Sequence, residues 1–151
     1  MDPRIKPFVG AWDEVTRRIG RAAARLSDAD WEARSACGAW SNRELLAHLA
    51  TGYVVRIARL ERALHGTVVP PIDVDRANAE NVARLASAPI HDVLSTLHES
   101  RARVRALIES LTHDALVLTF EVDGVSRPLH ELLWDNSHDL EHLAEFRPAA
   151  G

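Results

Sequence analysis

His138 and His142 stand four residues apart in Leu132-Leu133-Trp134-Asp135-Asn136-Ser137-His138-Asp139-Leu140-Glu141-His142-Leu143-Ala144-Glu145-Phe146. Leu133, Asn136, Leu140 and Leu143 recur there at helical spacing, with Pro128 upstream as a first-turn residue. On a helix the two histidines share one face, with backbones ~6 Å apart along the axis, so both imidazoles can reach one metal ion. A closed site needs a further ligand from another element. His48, within the apolar run Leu45-Leu46-Ala47-His48-Leu49-Ala50, is the candidate. The plainer alternative is a chance spacing among eight histidines, with His48 a hydrogen-bonded core residue. His98, His113 and His130 have no comparable setting and read as surface or helix-end residues.

Three neutral imidazoles would suit Zn²⁺, Ni²⁺ or Fe²⁺, leaving coordination positions open. A metal so held lowers the pKa of bound water or thiol and polarises carbonyls. Asp135, Glu141 and Glu145 lie about one turn from these histidines and could orient the rings, although exposed helix charge explains each taken singly. No Ser-His-Asp set, phosphate loop, dinucleotide turn or CxxC motif competes.

Four long helices can position these residues. The first pattern runs from Phe8 to Leu26, with Phe8, Trp12, Val15, Ile19, Ala22 and Leu26 on one stripe. Ser27 to Trp31 breaks it and turns Trp31 inward; Trp12 and Trp31 read as core. Ser41 and Glu44 have capping-box spacing, and Trp40 is placed to staple onto Leu45. The second helix they open runs to about His65, ended by Gly66, burying Leu45, Leu49, Val55, Ile57, Leu60 and Leu64. Pro70-Pro71 marks a loop. A short helix over Asp73 to Ala88 follows, with Val74, Ala77, Val82 and Leu85 apolar. Asn78 and Asn81 in it either line a pocket or meet solvent. Pro89 starts the third long helix, with Val93, Leu97, Val104, Leu107 and Leu111 as its stripe and Arg101, Arg103 and Arg105 fanned around it. Val117 to Val122, the turn signal Asp123-Gly124, and Val125 to Arg127 suggest a short extended pair leading into the final helix. The expected fold is an all-α four-helix bundle with a long crossover connection between the second and third helices, forming one domain over residues 1–151.

Composition narrows the function classes. At 46% hydrophobic and 26% charged residues, the 151-residue chain is expected to be soluble and globular. A net charge of −4, with Arg17, Arg21 and Arg25 best read as a solvated helix face, gives no support for nucleic-acid binding. Cys37, the only cysteine, permits no intrachain disulfide and reads as a small buried or loop residue. With no leader-like or membrane-spanning apolar run, a cytoplasmic protein with no membrane partner is expected.

Trp40-Ser41-x-x-Glu44-Leu45-x-x-His48-Leu49, followed by Leu132-Leu133-x4-His138-x3-His142, resembles the DinB-like superfamily. That group includes YfiT-like proteins, bacillithiol transferases and mycothiol-dependent maleylpyruvate isomerases. The resemblance spans nearly the whole chain and implies a DinB/YfiT-type four-helix bundle, often a homodimer, with a divalent metal at one end. On the family pattern His48, His138 and His142 take the three ligand positions. Several members use a low-molecular-weight thiol as cosubstrate. The resulting expectation is a metal-dependent, thiol-dependent transferase or isomerase acting on a small molecule, or a related hydrolase. The alternative is a non-catalytic bundle binding a metal or small ligand in stress or sensing. The helix over Asp73 to Ala88 and the loop before Trp40 are the expected selectivity elements.

Overall fold

A computed structural model describes residues 1–65, 73–122, 124–134 and 136–148. Helix α1 (Lys6–Ala23) begins slightly earlier than the apolar stripe, because Pro7 is tolerated in a first turn, where backbone N–H groups have no helical partner. It buries Phe8, Trp12, Val15 and Ile19, while Leu26 leaves the helix yet still packs against the core. Asp30 caps the following turn by accepting from the Ser27 N–H and hydroxyl, both at 2.7 Å, and Trp31 points inward.

Helix α2 (Asn42–Leu64) opens with the full capping box: the Glu44 N–H donates to Ser41 Oγ, and the Ser41 N–H donates to the Glu44 carboxylate. Helix α3 (Val74–Ala86), capped by Asp73, packs along α2, and Pro89 precedes α4 (Ile90–Ser110). A one-turn helix α5 (His113–Leu116) leads into the antiparallel pair β1 (Thr119–Val122) and β2 (Val125–Pro128), as the alternation suggested.

The last helix departs from expectation. Pro128 closes β2 and does not open the helix, which is split into α6 (Leu129–Trp134) and α7 (Ser137–Leu143). Asn136, with φ −96° and ψ 2°, stands just before α7 in a bridge conformation outside the helix.

Helices α1, α2, α4 and the α6–α7 pair form the bundle, with α3 inside the long connection between α2 and α4. Leu45, Leu46, Leu49, Leu60, Leu97, Ile108 and Leu129 are almost wholly buried, each worth about 1.5–3 kcal/mol relative to exposure. Among the described residues no helix is long and apolar enough to cross a membrane. The expected stop at Gly66, the Pro70-Pro71 loop, Asp123 and Asp135 lie outside the described residues, as do the side chains of Val55 and Val74.

Candidate metal centre

His48 sits in the second turn of α2, a stretch packed on all sides. Leu45, Leu46, Ala47, Leu49 and Ala50 are buried around it, and His48 itself is 3% exposed. Its Nε2 points across the bundle to α7. There, His48 Nε2 and His138 Nε2 lie 3.2 Å apart, and His138 Nε2 and His142 Nε2 3.1 Å apart. The three rings meet edge to face around a common point, with one nitrogen from each within 4.8 Å of the others. The structure thus brings His48, His138 and His142 together and leaves His98 and His130 exposed and His113 half-buried elsewhere.

A proton does not fully account for this arrangement. A ring nitrogen carries either one N–H or one lone pair, and His138 Nε2 faces two others. Nitrogens bound to one first-row divalent ion at about 2.0–2.1 Å would stand roughly 3–3.4 Å apart, which these separations match. The donor set fits a metal.

The rings' outer nitrogens differ. His142 Nδ1 is 2.5 Å from Glu145 Oε2, so the carboxylate holds that ring, and Glu145 is not a mere solvated charge. His138 Nδ1 lies 3.6 Å from Asp139 Oδ1. His48 Nδ1 is buried with no hydrogen-bond partner among the described residues. Burial first, and the neighbouring His138 and His142 second, push the His48 pKa down to about 4. His48 therefore stays neutral and its lone pair available well into acid.

Trp40 packs against the core to which Leu45 belongs and is also placed against the histidines. Its indole covers His48, ring centroids 4.6 Å apart, and reaches towards His142 at 6.3 Å. The loop before it is fixed by the Ser35 N–H and hydroxyl, both donating to the Trp40 carbonyl, and by Gly38, whose φ of +73° needs a residue without Cβ. Cys37 lies half-buried in this loop with Sγ 2.9 Å from Ser35 Oγ. The Ala36 N–H donates to the Glu145 carbonyl at 2.7 Å, tying the loop to the end of α7. Asn42, wholly buried, donates to the Arg147 carbonyl and accepts from its N–H, fixing the chain just beyond Glu145.

Asp139, also buried, was not singled out by sequence, and Arg101 was read only as one of three arginines fanned around α4, whereas it is buried. Both had a readable signal. Arg101 is four residues after Leu97 and three before Val104, and so lies on the apolar stripe of α4. Asp139 lies between Asn136 and Leu143 on the buried side of α7. Arg103 and Arg105, by contrast, pair near the surface with Glu61 and Asp13.

Known proteins share this fold. Residues 12–142 match the family described as the mycothiol maleylpyruvate isomerase N-terminal domain. A protein of Oceanobacillus iheyensis named as a putative metal-dependent hydrolase is 25% identical over 138 residues, 87% of this chain and 78% of its own. The crystal structure of the mycothiol-dependent maleylpyruvate isomerase superposes with a TM-score of 0.82 at 19% identity, covering 97% of this chain. This chain spans only 62% of that one. YfiT from Bacillus subtilis, described as a probable metal-dependent hydrolase with an unusual four-helix bundle topology, gives a TM-score of 0.77 at 20% identity over 97% of this chain and 86% of its own. These structural likenesses establish the fold, and the family match covers most of the sequence. The chain belongs to the mycothiol maleylpyruvate isomerase N-terminal domain family, within the DinB-like superfamily.

Proposed function

We propose that His48, His138 and His142 hold a divalent metal ion, Zn, Ni or Fe, and that the protein uses it in a thiol-dependent transfer or isomerisation of a small molecule. The observation that carries this reading is the convergence of three Nε2 atoms from two helices on one point. When bound, such an ion supplies a Lewis acid that favours the thiolate over the thiol and polarises a carbonyl.

The chain's own residues divide the remaining work. His48, buried and neutral, serves as a fixed donor and not as a proton shuttle. Glu145 orients His142. Trp40 shields the His48 side from water, while the His138 side chain, 49% exposed, marks the side open to substrate. The thiol requirement draws its support from the family, described by a mycothiol-using enzyme. Hydrolysis is the second reading, supported by the names of the Oceanobacillus and Bacillus relatives.

Assays of metal-loaded protein with a panel of low-molecular-weight thiols and electrophiles, including cis-unsaturated acids, separate these readings. We expect turnover that needs both metal and thiol and falls at least ~100-fold in His142→Ala. Turnover without any thiol would replace the transfer reading with hydrolysis. Metal binding with no turnover on either panel would leave a binding module.

A further inference from the structure

Arg101 of α4 is the point at which all four parts of the bundle meet. Its guanidinium donates to Thr16 Oγ1 at 2.5 Å and the Trp12 carbonyl at 3.3 Å on α1, to the Tyr53 hydroxyl on α2, and to Asp139 Oδ2 at 3.2 Å on α7. It stacks 3.9 Å from the Trp12 ring centre. The Tyr53 hydroxyl also donates to Asp139 Oδ2, at 2.7 Å. Arg101 and Asp139 are 1% and 4% exposed at their side chains, so both charges are stripped of water. A buried ion pair of this kind is poor value as a stabiliser, since well-packed apolar residues of similar volume are often as stable or more so. Its geometry points to another role. With Oδ2 held by Arg101 and Tyr53, the other oxygen of Asp139 is the one that faces His138 Nδ1.

We propose that the buried Arg101–Tyr53–Asp139 set is a positioning device for His138, favouring the proton on Nδ1 and so aiming the Nε2 lone pair at His48 and His142. Asp139 acts on the ring directly and Arg101 acts through Asp139. At 3.6 Å, beyond hydrogen-bond length, Asp139 acts on His138 through its charge, whereas Glu145, just past the other end of α7, contacts His142 Nδ1 at 2.5 Å. Two of the three histidines thus have a carboxylate behind them, one supplied by the surface and one by the core. Burial lowers the Arg101 pKa to about 10, so the guanidinium stays charged near neutrality and keeps Asp139 paired. The metal-affinity arm of this inference rests on the proposed three-histidine site; the proton-placement arm does not.

The test uses histidine labelled with ¹⁵N in the metal-free full chain at about pH 8. Two-bond correlations report which nitrogen of His138 carries the proton, and chelator competition reports Zn²⁺ affinity. Wild type, Asp139→Asn and the triple variant Tyr53→Phe/Arg101→Met/Asp139→Leu are compared. The triple variant removes the charges together, so that no ion is left buried alone. We expect wild-type His138 protonated at Nδ1, a shift towards Nε2 in both variants, and Zn²⁺ affinity lower by about 10–100-fold. Wild-type His138 protonated at Nε2, or a folded variant that keeps wild-type proton placement, overturns the inference. If wild type binds no metal, the three-histidine reading fails and proton placement alone decides this one.

Discussion

His48 differs from its two neighbours in being sealed inside the bundle, and this has a consequence for pH. Its folded pKa of about 4 lies below the ordinary histidine value of 6.5. The unfolded chain therefore takes up a proton there first as pH falls. This contribution to the metal-free protein's stability is complete above about pH 6.5 and is lost progressively towards pH 4. Thermal melts across that window should show a falling midpoint in wild type and a shallower fall in His48→Gln. Equal slopes would contradict the burial argument. The carboxylate behind His142 makes a second prediction at this scale: Glu145→Gln should keep the fold and weaken metal binding by about 10–100-fold, measured by chelator competition.

The meeting of three histidines was legible in part because two lie on one helix face and the third is a polar intruder in an apolar run, but much of the weight came from the family resemblance, the spacing alone being a weak signal. The residues behind them were less legible. Arg101 and Asp139 are far apart in sequence, and only the folded bundle shows that each satisfies the other.

Among the elements, α2 carries most of the responsibility for placing His48. Its capping box is a local device, readable from Ser41 and Glu44 alone, and Ser41→Ala should cost about 1 kcal/mol in urea unfolding. The loop that lays Trp40 over the site turns at Gly38, where a left-handed backbone makes any side chain strained. Gly38→Ala should cost about 1–2 kcal/mol, despite open space around the added methyl. An unchanged urea midpoint would show that the loop relaxes. The division of the last helix was not legible. The apolar repeat from Leu133 to Leu143 runs without a break in period, whereas Asn136, ahead of α7, has backbone angles outside the helix. Trp40 illustrates a similar limit: its place before a cap suggested a staple, and only the approach of α7 shows that it is also a wall of the site.

At the scale of the molecule, α2 and α7 bring the histidines together only when the bundle is closed. An ion bound there would therefore join the two helices and stabilise the folded state by mass action. Free metal at a hundred times its dissociation constant should add about 2.7 kcal/mol. For a chain of this size that raises the melting temperature by about 5–10 °C, reversibly with chelator. The most direct measurement is elemental analysis of protein purified without chelator or metal-affinity tag, beside a His138→Ala/His142→Ala control. We predict about one divalent transition metal per chain, lost in the control while the helical content is kept. No metal in either sample, even after addition of Zn²⁺, Ni²⁺ and Fe²⁺, would contradict the three-histidine site and reduce the family relationship to one of fold.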